Sequence, residues 1–194
     1  MGRVLYLARH GETDWNRDGR WQGHTDVALN DAGRAQARAL AEKLRGAVFA
    51  RVHTSDLLRA RETAEIVRAI LGAGPLVVDR DLRERSFGLF EGLTRDECQA
   101  RHPEHWAAYR ADVSRVPPGA EAHDALGRRM EAAVARAGET RDGEGDGAVL
   151  VVSHGGSIRA LVARATGAMP PPLANTAVFR AVFADGALTD VTMV

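Results

Sequence analysis

The chain has 194 residues, 45% hydrophobic and 27% charged, the proportions of an ordinary globular protein. They exclude a disordered or fibrous class and set one domain over residues 1–194 as the expectation. A formal net charge of +0 supplies no global field to recruit nucleic acid or an anionic membrane, and Cys98, the one cysteine, precludes an intramolecular disulfide and a cysteine-rich zinc cluster.

Strand-like Arg3-Val4-Leu5-Tyr6-Leu7 opens the chain without the basic start and cleavage site of a signal peptide, so the cytoplasm is the expected compartment. The first predicted strand, Val4 to Ala8, runs into Arg9-His10-Gly11. Asn30 or Asp31 caps a predicted helix through Leu44. That helix holds Lys43, the sole lysine, which sits in no glycine loop and so argues against a Walker P-loop and a Schiff-base enzyme. The other 25 of the 26 basic residues are arginine, so no single arginine is informative by itself.

A second strand spans Val48 to His53. Ser55 then caps a helix to Leu71, with Leu57, Ala60, Ala64, Val67 and Leu71 on one face. A third strand, Leu76 to Asp79, precedes Glu84. Thr94-Arg95-Asp96-Glu97 reads as a capping box opening a helix that carries Trp106 and Tyr109. Leu126, Met130, Ala133, Val134 and Ala137 form another helical stripe, and Gly138 to Gly147 reads as a surface loop. The fourth strand, Ala148 to Ser153, runs into His154-Gly155-Gly156. Ala177 to Ala184 and Leu188 to Val194 flank Asp185-Gly186 as a hairpin. Strands alternating with helices predict a three-layer α/β/α sandwich with a mostly parallel mixed sheet. The terminal hairpin packs within the domain, with pairing in a homodimer as the alternative.

Ligands of open parallel sheets bind beyond the carboxyl ends of the strands. Four strand ends here supply His10, His154, Arg9, Arg59 and Glu84, a set that suits phosphoryl transfer. Arginine forks match phosphate oxygens, and the Gly155-Gly156 turn can add backbone donors. A neutral imidazole, kept neutral by nearby guanidinium groups, can attack phosphorus. Glu84 would protonate the leaving oxygen, with Phe87 and Phe90 as candidates for an apolar wall. No metal is needed if arginines neutralise the charge. Ser153 and Ser157 flank His154, but a Gly-x-Ser-x-Gly elbow is missing. Cys98, His102 and His105 share a helical face suited to zinc, although Pro103 disturbs that helix and no fourth ligand is evident.

The chain resembles the histidine phosphatase superfamily, also called phosphoglycerate mutase-like. The likeness rests on Arg9-His10-Gly11-Glu12-Thr13 with Trp15-Asn16, Leu29-Asn30-Asp31-Ala32-Gly33 with Gln36-Ala37, and Ser55 to Ala64. It continues through Leu82-Arg83-Glu84 with Phe87-Gly88 and Glu91-Gly92, and Ser153-His154-Gly155-Gly156. The resemblance implies that His10 is phosphorylated and that Glu84 is general acid, then base toward water. It implies that Arg9, Arg59 and His154 bind the phosphoryl group with Asn16 and the Gly155 backbone, and that Gln22 and Gly23 line the substrate side. Gly11 is read as allowing a tight turn whose carbonyl fixes the His10 tautomer, with Glu12 as scaffold.

The implied activity is hydrolysis of a small-molecule phosphomonoester, without cofactor, nucleic acid or membrane. The alternative is a cofactor-dependent phosphoglycerate mutase. Such mutases are longer and carry Arg-His-Tyr-Gly after the acidic residue, where this chain has Arg85-Ser86-Phe87-Gly88. They also need basic groups for a second phosphate, where the segment from His102 to His123 offers only Arg110 and Arg115. Pro118-Gly119-Ala120-Glu121-Ala122 departs from the Gly-Gly-Glu-Ser of related phosphatases, in the region of the substrate lid.

Overall fold

The computed structural model describes residues 2–139, 145 and 147–194. Six strands form one sheet: β1 (Arg3–Arg9), β2 (Phe49–Thr54), β3 (Leu76–Val78), β4 (Ala148–Ser153), β5 (Val178–Ala184) and β6 (Ala187–Met193). Their order is β3-β2-β4-β1-β5-β6. The first four in that order are parallel; β5 is antiparallel to β1 and to β6, so β6 runs in the direction of the first four. Helices α2 (Asp31–Lys43) and α3 (Leu58–Leu71) cover one face, and α6 (His123–Gly138) and α7 (Gly155–Thr166) the other. The expected three-layer mixed sandwich is what the chain adopts.

Strand alternation divides the core. Leu5, Leu7, Val149 and Val151 point to α6 and α7, where they meet Leu126, Met130, Val134, Ile158 and Leu161. Ala8, Leu150 and Val152 point to α2 and α3, against Leu40, Leu44, Ala60, Ala64 and Val67. Because successive residues enter opposite layers, both faces of the central strands are dry, as buried parallel strands require. A third cluster lies apart from the sheet: Phe90, Cys98 and Trp106, with Trp21, Phe87, Leu93 and Tyr109 against them.

Several local expectations are revised. The helix predicted from Thr94 is two: α4 (Arg95–Arg101), with its Thr94/Glu97 capping box, and α5 (Pro103–Ala111). Pro103 occupies the first turn of α5, where its missing N–H costs no hydrogen bond, so the proline restarts a helix rather than merely disturbing one. Helix α3 starts two residues later than a Ser55 cap would place it, with Asp26 accepting from Leu58 N at 2.7 Å. Strand β3 leads into a 3₁₀ turn, Arg80–Leu82, and not a helix. A short helix, α1 (Asp14–Arg17), follows Thr13, which caps it jointly with Asn16. The predicted loop from Gly138 to Gly147 falls largely outside the described residues. Among those residues no helix is long and apolar enough to cross a membrane.

The loop after β1 lies directly on the first turn of α2. Asn30 caps that helix by accepting from Gly33 N at 2.8 Å, and a Cβ on Gly33 would stand 2.1 Å from the Glu12 carbonyl oxygen. A Cβ on Gly11 would reach Gly33 O at 2.4 Å. Close approach of two backbones is thus a reason for Gly11 beyond the turn expected from the sequence. Gly33→Ala must push this loop off α2, and the expected cost is about 1–3 kcal/mol, the range for overpacking a closed contact. Thermal unfolding checks it: an unchanged midpoint would show that the contact yields freely.

Candidate active site

Arg9 of β1 pairs with Ser153 of β4, so the next residue on each strand is a histidine at the same rim of the sheet. The His10 and His154 rings lie 5.1 Å apart, centroid to centroid. Both are buried. His10 Nδ1 lies 2.6 Å from Gly11 O; a carbonyl only accepts, so Nδ1 carries the proton and Nε2 keeps its lone pair. Asn175 Nδ2 donates to His10 O at 3.1 Å, tying the backbone of the same residue to the segment before β5.

Arg59, on the first turn of α3, is fully buried and donates through Nη1 to Thr25 O at 2.9 Å and through Nη2 to Gly23 O at 2.8 Å. Arg9 donates to Leu173 O. The Nε–H of each arginine, both ring nitrogens of His154 and the Gln22 side-chain oxygen are buried without a partner. Asn16 spends its amide oxygen on Thr13 and Asn175, so its NH₂ is the group offered to a ligand. A half-open cavity of about 130 Å³ is lined by Arg9, His10, Asn16, Gln22, Arg59 and Glu84, and also by Arg20, Trp21, Gly23 and Phe87. Its donors outnumber its acceptors, which is what an oxyanion requires. A larger cavity, about 550 Å³, lies between α6, α7 and the β5–β6 hairpin and holds none of the candidate residues.

Glu84 is held from three sides. Its Oε1 accepts from Arg85 N at 2.8 Å and Ser157 Oγ at 3.1 Å, and its Oε2 accepts from Gly156 N at 2.9 Å. The first turn of α7 therefore serves Glu84, where the sequence suggested phosphate for the Gly156 N–H. A Cβ on Gly156 would meet Glu84 Oε1 at 2.5 Å, and one on Gly155 would crowd Arg9 Nε at 3.3 Å, so these glycines admit the acid and the arginine.

Four residues outside the predicted set build the surroundings. Ser153 donates to Leu82 O at 2.7 Å, and the single Ser157 Oγ proton is shared between Glu84 Oε1 and Arg83 O, the latter at 2.8 Å. Arg129 reaches the carbonyls of Asp81 at 2.6 Å and Arg83 at 3.0 Å while bridging Glu121 at 2.7 Å. Glu91 accepts from His24 N, Thr25 N, Thr25 Oγ1, Phe87 N and Ser86 Oγ, joining the loop under Arg59 to the segment after Glu84. Burial pushes the Glu91 carboxyl up, but these hydrogen bonds outweigh it and hold it below the usual range. Glu91, as part of Glu91-Gly92, and Ser153, as part of Ser153-His154-Gly155-Gly156, carried a sequence signal; Ser157 and Arg129 lie outside those motifs. Gly23, in the left-handed region at φ +53°, leaves room for Glu91, whose Oε1 would stand 2.1 Å from a Cβ there. Of the predicted aromatic wall, Phe87 lines the cavity and Phe90 is buried behind it with Cys98. Among the described residues no three His, Cys, Asp or Glu side chains converge as metal ligands, those around Cys98 included.

Burial, then the Arg59 and Arg9 charges, lower the His10 pKa well below its usual 6.5. His154 is lowered likewise by burial, Arg59, His10, Arg9 and Arg129. Burial brings Arg59 down to about 10, opposed by Glu84, so it stays charged at neutral pH. Below about pH 6.5 the unfolded chain binds protons that the folded protein refuses; stability present above that pH is lost as pH falls toward the folded values. The melting temperature is expected to fall between about pH 7 and pH 5, each histidine contributing up to about 1.4 kcal/mol per pH unit. His154→Gln should make the fall shallower, and an equally steep fall in that variant would refute the assignment.

A sequence model of the histidine phosphatase superfamily (branch 1) matches residues 5–191. Phosphoglycerate mutase-like protein 4 of Arabidopsis thaliana is 44% identical over 165 residues, covering 83% of this chain and 70% of that protein. Metal-independent phosphoserine phosphatase of the same plant is 36% identical over 84% of this chain and 68% of its own length. Mycobacterial glucosyl-3-phosphoglycerate phosphatase in complex with VO3 superposes with a TM-score of 0.81 at 31% identity, covering 98% of this chain and 97% of that one. The chain belongs to the histidine phosphatase superfamily.

Proposed function

We propose that the protein hydrolyses a small phosphorylated metabolite, a phosphomonoester, through a covalent phosphohistidine on His10. The observation that carries this reading is the His10 tautomer: Gly11 O holds Nδ1, leaving Nε2 unprotonated beside two guanidinium groups. The phosphoryl group sits among Arg9, Arg59, His154, Asn16 and the Gly155 backbone, with Gln22 and Gly23 on the substrate side. As His10 Nε2 bonds to phosphorus, the bond to the ester oxygen breaks and Glu84 gives its proton to that oxygen. Water then attacks phosphorus, Glu84 takes the proton, and the N–P bond breaks to release phosphate.

Charge spread over the equatorial oxygens is met by the fixed arginines, so the reaction requires no metal or other cofactor. The zero formal net charge fits a small-molecule substrate rather than nucleic acid or a membrane surface. A mutase must seat a second phosphate, and the third arginine lining the cavity, Arg20, is already paired with Glu97 at 2.6 Å.

Phosphate release from a panel of esters in EDTA is the test. His10→Ala is expected to lose at least about a thousandfold in kcat, the scale seen when a nucleophile is removed. Wild type quenched in alkali during turnover should carry base-stable phosphate on His10. Release that survives in His10→Ala, or that requires metal, would refute the mechanism. Glu84→Gln is expected to lose about 10²–10⁴ on alkyl esters, whose oxygen must be protonated, and far less on p-nitrophenyl phosphate. Equal losses on both would deny Glu84 the acid's role.

A further inference from the structure

The cavity divides into a buried half and an outer half that differ in charge. Arg9 and Arg59 stand with His10 in the buried half, whereas the Arg20 side chain is 32% exposed. Arg20 Nη1 donates to Glu97 Oε2 at 2.6 Å and to Gly92 O at 2.8 Å. Glu97 is fixed in turn, because as the third residue of α4 it accepts from Thr94 N at 2.9 Å in the capping box. The Thr94 N–H, then Arg20, hold its carboxyl below the usual range, so the pair is charged and matched at neutral pH.

Beside Arg20 the lining carries two aromatic rings, together with Gln22 and Gly23. The Trp21 and Phe87 rings, 4.5 Å apart, both line the cavity. Arg85, next to Glu84 in sequence, is 2% exposed, lies over the Phe87 and Tyr109 rings, and donates to Glu121 O at 2.9 Å.

We infer that this site selects phosphomonoesters whose leaving group is uncharged and bears a ring or similar apolar body, and that Glu97 enforces the choice by neutralising Arg20. The inference rests on the hydrolase reading and names its substrate class. An anionic leaving group, such as the carboxylate of a phosphoglycerate, gains Arg20 only by displacing Glu97 and then faces that carboxylate as a like charge. An apolar ring meets Trp21 and Phe87 without disturbing the pair. Glu97 is a specificity residue acting through Arg20.

Benzyl phosphate and 3-phosphoglycerate test this, because both release an alkyl alcohol and so differ little in intrinsic reactivity. Wild type is expected to favour benzyl phosphate by tenfold or more in kcat/KM. Glutamine preserves a capping box, so Glu97→Gln keeps the start of α4 while freeing Arg20. That variant should raise kcat/KM for 3-phosphoglycerate about three- to tenfold, mainly through KM, with benzyl phosphate unchanged. Adding Arg20→Ala should abolish the gain, and Trp21→Ala should reduce turnover of benzyl phosphate alone.

A wild type that prefers 3-phosphoglycerate overturns the inference, as does a folded Glu97→Gln protein with the wild-type ratio. Calorimetric binding of both esters to wild type keeps the two readings separate. Selective binding of benzyl phosphate without release of phosphate would refute the hydrolase reading and support the selectivity; release without selectivity would refute the selectivity alone.

Discussion

One buried and one half-buried guanidinium group beside two neutral imidazoles are the constraint that the rest of this molecule accommodates. Taking charge out of water costs several kcal/mol per ion unless hydrogen bonds and counter-charge replace the lost solvation. Arg59 is met by the carbonyls of Gly23 and Thr25, Arg9 by that of Leu173, and both feel the field of Glu84. The compensation stops short of completion, because one Nε–H on each arginine has no partner. A fold that only needed stability would replace these groups with apolar side chains. Keeping them yields a preformed set of donors that a phosphoryl oxygen can satisfy without rearrangement, the condition under which electrostatic stabilisation of a transition state is strongest.

That arrangement obliges the surrounding loops to be held just as firmly. The backbone leading to Glu84 has no regular ladder of its own after β3, so its carbonyls are taken one by one: Asp81 by Arg129, Leu82 by Ser153, Arg83 by Ser157 and Arg129, Glu84 by His24. Glu91 does the corresponding work for the loop whose carbonyls hold Arg59. The acid and the arginine are thereby fixed by Arg129 of α6, Ser157 of α7, Ser153 of β4 and the side chains of His24 and Glu91. Productive geometry depends on such outer contacts as much as on the reacting residues.

Much of the frame is legible in the sequence because it obeys local rules. The short apolar runs give the strands, a cap at Asn30 or Asp31 gives α2, the 3.6-residue stripes give α3 and α6, and strand ends bearing histidine point to one rim of a parallel sheet. What the sequence conceals is set by contacts between distant residues. Ser157 and Arg83 are 74 positions apart, and Glu91 meets Thr25 across 66. In a chain where nearly every base is arginine, nothing local separates Arg129, which holds three backbone carbonyls, from Arg128 on the exposed face of the same helix. The second reason for Gly11 is equally hidden: its neighbour Gly33 lies in another element, and only packing brings them together. Pro103 shows the converse failure, since a proline is visible but whether it ends a helix or begins one depends on the chain around it.

The two halves of the cavity answer to different parts of the chain. The phosphoryl half is built from strand ends and first turns of helices, fixed by the sheet register; shifting any of them would move His10, His154 and Arg59 relative to one another. The outer half comes from residues 20–24, the segment from Arg85 to Glu97, and α5, which pack on each other through Trp21, Phe87, Phe90, Trp106 and Tyr109 rather than on the sheet. The backbone of this outer half also serves the inner one, since Gly23 O accepts from Arg59 and Arg85 N donates to Glu84, so variation there is confined to side chains. On the proposed reading, selectivity for the leaving group belongs to a small aromatic cluster and one ion pair, and the chemistry to the strand ends of the sheet.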